Sequence, residues 1–294
     1  MSIDAVKREL LVRHLEAWVP AALHRARRVI YAHGYADEAG MAEAALRVLT
    51  DQADLVRGRE LSMVAVGDDL SAVMPRLEAV RNEAPDAPGL AVHAISGGTD
   101  QRLAIALKAA GATRVPLLGF LDASRAGRPP EPATVAALTS GKPAEVLLIL
   151  APGAPAGVYR DEWPLFTEVE LATGEEPGQL LAFGTTSGKS LESFKEALWA
   201  VDEFAGVRYR DPGDPDRHLI DISLTPHPGP LRREIMAHLE RVGSATVTEL
   251  RTFALTETIY RAADATRVVH ALVDAGTVSR TPSQGRLGGD VVIS

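Results

Sequence analysis

The chain contains no cysteine. That absence excludes disulfides, thiolate metal centres and a cysteine nucleophile, and it fits a reducing, cytoplasmic address. Long hydrophobic runs are missing as well. The longest, Val146–Leu150, is strand-sized, far short of the roughly 20 apolar residues that cross a bilayer, so no membrane contact is expected. The opening Met1-Ser2-Ile3-Asp4 lacks the basic region and apolar stretch of a signal peptide. The histidines show no metal-ligand spacing such as His-x-x-x-His, so no metal is expected. No Gly-x-Ser-x-Gly elbow supports a serine hydrolase. A basic excess is also lacking: 31 Lys+Arg face 39 Asp+Glu, a net charge of -8. This rules out a general nucleic-acid coat while leaving room for a local basic surface. What the chain does have is 46% apolar and 24% charged residues over 294 positions. That is an ordinary globular balance, sufficient for one large domain and one small.

Helical and strand-like patterns alternate through the first 225 residues. Ala5–Trp18 reads as an amphipathic helix with Val6, Leu10, Leu15 and Trp18 on one face, after which Pro20 lets a new segment start. Apolar runs at Arg28–Ala32, Leu61–Val66, Leu90–Ile95, Val115–Leu121 and Glu145–Leu150 read as buried strands. Helical patterns at Ala39–Leu55, Asp69–Asn82, Thr99–Ala110 and Glu131–Leu138 separate them. Strands that are continuously apolar, with helices between them, predict an α/β fold: a doubly wound, mainly parallel sheet covered on both faces. After the Pro/Gly-rich loop Ala151–Val158, Trp163, Leu165 and Phe166 read as a packing element. Leu191–Phe204 reads as a helix, and Val207–Arg210 with His218–Leu224 as a closing antiparallel pair.

The run Thr225-Pro226-His227-Pro228-Gly229-Pro230 marks a boundary, dividing the chain into 1–225 and 226–294. Beyond it come helical patterns at Leu231–Val242, Thr246–Ala254 and Ala262–Ala275, then a hairpin of Val278–Arg280 with Val291–Ile293. Three helices and a two-stranded wing outline a winged helix-turn-helix domain. Residues 226–294 hold 8 Lys+Arg against 7 Asp+Glu, so the tail is the less acidic part. Tyr260, Arg261 and Arg267, with Arg280 and Arg286 near the wing, are the residues it offers to nucleic acid.

The most telling stretch is Val29-Ile30-Tyr31-Ala32-His33-Gly34-Tyr35-Ala36-Asp37-Glu38-Ala39-Gly40-Met41. A short strand, a glycine-bearing turn and a helix start form the cofactor corner of an open α/β sheet, where exposed amides favour anionic oxygen. Here Asp37 and Glu38 stand where an anion would sit. Either the ligand is unusual or the site has decayed.

Together with Lys7-Arg8-Glu9-Leu10-Leu11, His14-Leu15 and Ala17-Trp18-Val19-Pro20, that stretch resembles the opening of the three-Cys-motif partner proteins. Leu118-Gly119-Phe120-Leu121-Asp122 resembles that family's later strand, and His218–Gly229 its Thr-x-His-x-x-Gly segment. The resemblance implies a class I methyltransferase-like, Rossmann-type fold binding S-adenosylmethionine at the first turn. His33, Gly34, Tyr35, Asp37, Gly40 and Asp68 would surround the cofactor, and Asp122 would be a catalytic or orienting acid. It also implies a protein partner bearing the three-Cys motif. The departures are sharp: His33 replaces an aspartate, Asp37 and Glu38 replace glycine and proline, and Ala123 replaces a proline. Two like charges about 4 Å apart repel by about 4 kcal/mol at an effective dielectric of about 20, roughly three decades of affinity. The cofactor corner is therefore expected to be impaired. The alternative is an active S-adenosylmethionine-dependent methyltransferase acting on nucleic acid, in which Asp37 or Asp68 has taken over a hydrogen-bonding role.

Phe183-Gly184-Thr185-Thr186-Ser187-Gly188-Lys189-Ser190 has the look of a phosphate-binding loop, but the glycine comes one residue too late. It reads instead as a helix entry capped by Ser190.

Overall fold

The computed structural model describes residues 2–56, 58–83, 89–201, 206–223 and 225–294. Helix α1 (Ile3–Arg25) runs straight through Pro20, correcting the expected break. Its buried face continues past the proline through Ala22 and Leu23, so tertiary burial outweighs the lost backbone hydrogen bond. Strand β1 (Arg28–Gly34) follows, then α2 (Met41–Asp51), β2 (Glu60–Gly67), α3 (Val73–Glu83), β3 (Leu90–Ser96), α4 (Thr99–Ala109), β4 (Leu117–Asp122), the short α5 (Pro132–Ala136) and β5 (Ala144–Leu150). The helix read over Glu131–Leu138 is thus α5 continued by a 3-10 turn, Ala137–Ser140.

After a single turn, α6 (Gly157–Arg160), the chain forms a hairpin of β6 (Leu165–Ala172) and β7 (Gln179–Thr185). The sequence reading had only a packing element here. Helix α7 (Gly188–Trp199) is capped by Ser187, whose side chain accepts from the Ser190 amide, so the cap is Ser187 and not Ser190. The antiparallel pair is β8 (Arg208–Arg210) with β9 (Leu219–Asp221). The end of the predicted helix at 202–204, and Leu224, lie outside the described residues.

Among the described residues the main sheet has nine strands in the order β3-β2-β1-β4-β5-β7-β6-β8-β9. β3, β2, β1, β4 and β5 are parallel, and β7 is antiparallel to β5. This is a doubly wound, Rossmann-type α/β sheet, with a reversal of strand order between β1 and β4. Alternate residues of β1 feed opposite faces. Val29 and Tyr31 join a core with α1, α2, α3 and α7, while Ile30 and Ala32 join one with α4, Val135 and Leu138.

The C-terminal segment contains α8 (Gly229–Val242), β10 (Ala245–Thr246), α9 (Val247–Glu257), α10 (Ala262–Asp274), β11 (Arg280–Thr281) and β12 (Val292–Ile293). The three short strands form a sheet in the order β10-β12-β11. Thr246 starts α9 with a reciprocal capping box to Glu249. The segment packs on α7: Trp199 Nε1 donates to the Ile259 carbonyl at 2.9 Å, its ring stacks on Tyr260, and Lys195 Nζ donates to the Thr258 carbonyl. The apolar core runs unbroken from the main sheet into α8–α10.

Burial pushes the Lys195 amine down to about 7, against the pull of Asp211, Glu234 and Glu257. An unfolded lysine keeps its proton to roughly pH 10, so between about pH 7 and 10 unfolding takes up a proton and this group adds stability as pH rises. Glu234 also titrates near 7, raised by burial and then by Asp211 and Asp214, and works in the opposite sense from its unfolded value up to that pH. Urea unfolding at pH 7 and pH 9 should therefore show a gain for the wild type that Lys195→Met loses. Equal gains in the two proteins would refute the assignment.

Candidate functional site

The carboxyl ends of β1, β2 and β4 meet at the reversal of strand order, where open α/β sheets bind ligands. A cleft of about 220 Å³ opens there, lined by Tyr35, Asp37, Glu38, Asp68, Asp122 and Arg125 among others. It is smaller than the roughly 300–1,000 Å³ usual for cofactor-sized ligands.

The turn after β1 is held by its own neighbours. Tyr35 adopts a left-handed backbone, φ 53°, a costly conformation for a non-glycine residue. Its amide donates to Thr99 Oγ1 at 2.8 Å and its hydroxyl to Asp100 Oδ1 at 3.1 Å. The Ala36 amide donates to the Val66 carbonyl at 2.9 Å, laying the turn across the end of β2. A Cβ on Gly67 would come within 2.2 Å of the Ala36 carbonyl oxygen. Asp37 Oδ1 accepts from the Ala39 amide at 2.9 Å. The carbonyls of Ala39 and Glu38 accept from Arg8 at 2.8 Å and from Arg76 at 2.9 Å. Gly40, φ 76°, is the residue before α2 and does not line the cleft.

His33 does not reach the cleft either. It is buried, with Nδ1 2.8 Å from the Tyr31 hydroxyl and its ring beside Phe120. Burial, opposed by Asp122, holds its pKa down to about 4, so it is neutral at physiological pH. Gly34 serves strand packing, because a Cβ there would stand 2.5 Å from Leu121 and 2.8 Å from Thr99 side-chain atoms.

Asp122 faces the cleft, but both its oxygens are engaged. Oδ2 takes Lys7 Nζ at 2.7 Å, and Oδ1 accepts from the Ser124 amide at 3.1 Å and from its hydroxyl. Lys7 is fully buried and also pairs with Asp4 at 2.8 Å. Asp37 pairs with Arg125, which also holds Asp4. The charge of Asp37 is thus partly compensated, which moderates the repulsion expected from sequence. Asp68, just past β2, lines the cleft exposed and without a hydrogen bond or ion pair among the described residues. The structure therefore gathers Tyr35, Asp37, Asp68 and Asp122 and leaves His33, Gly34 and Gly40 behind. Lys7, Arg8, Arg76, Thr99 and Arg125 were missed. The visible signal was Lys7, a lysine among the apolar positions Val6, Leu10 and Leu11 of one helix.

The residues offered to nucleic acid are dispersed. Tyr260 is buried, and its hydroxyl donates to the His227 carbonyl. Arg261 is buried and bonded to Asp264 and Glu196. Tyr260 and Arg261 are thus corrected to interior residues, because packing on α7 consumes them. Arg267 pairs with Asp264, and Arg280 holds the carbonyls of Pro282, Gln284 and Gly285. Arg286 is exposed.

No known family model and no curated protein sequence matches the chain. Solved structures do. A spermidine synthase in complex with the transition-state analogue AdoDATO shares 11% identity at TM-score 0.38, over 63% of this chain and 62% of its own. Spermidine synthase from Thermotoga maritima shares 13% at TM-score 0.35, over 62% of each chain. A predicted O-methyltransferase from Agrobacterium tumefaciens shares 14% at TM-score 0.34, over 60% of this chain and 81% of its own. The match spans about three fifths of the length of the two synthases. No helix among the described residues is long and apolar enough to cross a membrane.

If Asp122 serves structure, it and Lys7 must be energetically coupled. Asp122→Asn and Lys7→Met should each cost about 3 kcal/mol, the scale for breaking one partner of a buried pair. The double variant should fall short of the sum by about 1–3 kcal/mol. Strict additivity in urea unfolding would dissociate the two residues.

Proposed function

We propose that this chain is a methyltransferase-fold protein of the three-Cys-motif-partner kind whose S-adenosylmethionine corner is impaired, and that it acts by binding a partner. One observation carries the reading. The turn after β1 spends its hydrogen-bonding groups inside the protein, on Thr99, Val66, Arg8, Arg76 and Asp37. The amino-acid end of S-adenosylmethionine needs those same backbone groups and an approach unobstructed by side chains. Asp37 and Glu38 occupy that approach, and Gly34 is packed against Leu121 and Thr99. The residues present do not fit the cofactor.

The tail supports the binding role. Three helices and the sheet β10-β12-β11 favour a winged helix-turn-helix over 226–294. With Tyr260 and Arg261 buried, the exposed residues of α10 are Ala263, Arg267, His270, Ala271 and Asp274. One cation, already paired, is too few for phosphate-driven affinity. A protein partner is therefore favoured over nucleic acid, and a three-Cys-motif protein is the partner the sequence resemblance names.

A second reading, an active methyltransferase, draws on Asp68. An unengaged carboxylate just past the second strand stands where the fold places a ribose-holding acid.

Calorimetric titration with S-adenosylmethionine, its demethylated product and adenosine separates the readings. The proposal expects no heat at millimolar ligand from any of the three. Micromolar binding of S-adenosylmethionine, abolished by Asp68→Ala, would establish the enzyme reading in its place.

A further inference from the structure

The far end of the parallel strands, where β1, β2, β4 and β5 begin, gathers cations in a chain whose net charge is -8. Arg25 closes α1, Arg27 precedes β1, Arg28 opens it, and Arg59 directly precedes β2. Arg114 and Lys142 stand in the approaches to β4 and β5. Arg25, Arg27 and Arg59 line one open depression of about 460 Å³, with His24 beside them.

Backbone pairing sets these positions side by side. The Glu60 amide donates to the Arg27 carbonyl at 2.7 Å, which joins the approaches to β1 and β2. The Arg114 amide donates to the Ser140 carbonyl at 2.9 Å, and the Lys142 amide to the Val115 carbonyl at 2.8 Å. Those bonds join the approaches to β4 and β5. The Arg28 guanidinium bridges the two groups, since a Cβ on Gly111, in the loop that holds Arg114, would stand 2.8 Å from it. Strands β2, β1, β4 and β5 are neighbours in that order. At a strand spacing of about 4.8 Å, the row is about 14 Å long.

The row is left unbalanced. Arg25, Arg27, Arg28, Arg114 and Lys142 are exposed and Arg59 is half-buried. Of the six side chains only that of Arg28 has a partner among the described residues, Glu60 at 3.3 Å. Elsewhere the chain spends its guanidinium groups on internal bonds, as at Arg8, Arg76, Arg125, Arg210 and Arg261. The exposed acids on the approach to β2, namely Asp51, Asp54 and Glu60, are half as many as the cations. Like charges held together repel, so an anionic guest stabilises the row.

The chemistry of the row selects the guest. Apart from buried Leu23, the depression is lined by cations, histidine, alanine and glycine, so it lacks the apolar core of a protein interface. Arginine forks match phosphate oxygens bidentately, and five of the six cations are arginine. A row about 14 Å long spans about four phosphates at the roughly 3.4 Å spacing of one strand.

We propose that the amino end of the sheet binds the phosphodiester backbone of a nucleic acid through Arg25, Arg27, Arg28, Arg59, Arg114 and Lys142. This surface is separate from the C-terminal segment and does not depend on the state of the cofactor corner. Contacts to phosphate alone carry no sequence information, so the binding is independent of sequence.

The test is fluorescence anisotropy of a labelled DNA oligonucleotide, single-stranded and duplex, titrated with the full chain at two salt concentrations. Four neutralised phosphates give a log–log slope of about -3, so affinity should fall about 60-fold between about 50 and about 200 mM salt. The triple variant Arg25→Gln/Arg27→Gln/Arg59→Gln should bind more than about tenfold more weakly and reduce the slope by about 2. The three side chains have no partner to lose, and urea unfolding checks that the variant is folded. Arg286→Gln, in the C-terminal segment, should change neither quantity. Tighter binding of the single strand or of the duplex identifies the source of the backbone. A wild type that binds neither form at the lower salt overturns the proposal, as does a folded triple variant that binds like the wild type. A loss on Arg286→Gln equal to that of the triple variant moves the contact to the C-terminal segment and also overturns it. Displacement of the oligonucleotide by polyglutamate at equal charge does so too, because the row would then fit an acidic protein segment equally well.

Discussion

A lysine with no solvent exposure must be paired, and Lys7 is the constraint on which the upper half of the molecule depends. Its ammonium lies between Asp4 and Asp122, within 2.8 Å of each. Because Lys7 is in the second turn of α1 and Asp122 ends β4, the pair fixes the start of the first helix over the carboxyl rim of the sheet. The neighbouring Arg8 then reaches the Ala39 carbonyl, and Arg125 joins Asp4 to Asp37. The start of α1, the turn after β1 and the loop after β4 are thereby one electrostatic unit. In an open α/β sheet this rim is normally left with spare hydrogen-bonding capacity. Here Lys7 and Arg8 of α1 take up part of it.

Much of the main sheet was legible because parallel strands covered on both faces are continuously apolar, and β1 to β5 read that way. The β6–β7 hairpin was not. Thr167, Glu168 and Glu170 interrupt the apolar pattern of β6, and only the tertiary fold shows Glu170 buried against Arg210. In β7 the string Phe183-Gly184-Thr185 looked like the start of a loop. Gly184 is a strand residue, and it lacks a side chain because the Trp163 ring packs 2.6 Å from where a Cβ would stand. At the site the position of the turn was readable, as were Asp37, Asp68 and Asp122 around it. The roles were not, because they depend on partners more than a hundred residues away, as with Lys7 and Asp122. His33 shows the same limit. Its place at a strand end was plain, but the hydroxyl of Tyr31 makes it an interior residue.

The C-terminal segment shows why a count of charges does not give an interface. Eight arginines looked available from composition. Arg261, Arg267 and Arg280 are instead used to stiffen the segment itself: two converge on Asp264 and the third ties a loop together. Of the three, Arg261 also holds the segment to α7 through Glu196, and solvated they would have formed a basic face. Stability of the docked segment and a cationic surface compete for the same guanidinium groups.

Unfilled polar valence marks where a folded chain expects something from outside, since buried polar groups are otherwise paired. At the carboxyl rim the Tyr35, Ala36 and Ala39 amides are bonded within the protein, and the carboxylates of Glu38 and Asp68 stand unengaged among the described residues. At the amino end of β5 the nitrogens His14 Nδ1 and Trp18 Nε1 are buried without a hydrogen-bond partner. Helix α1 touches both ends of the parallel strands: Lys7 and Arg8 bond at the carboxyl rim, and His14 meets Glu145 at the start of β5. The proline at position 20 does not end it, and so one continuous helix carries both surfaces.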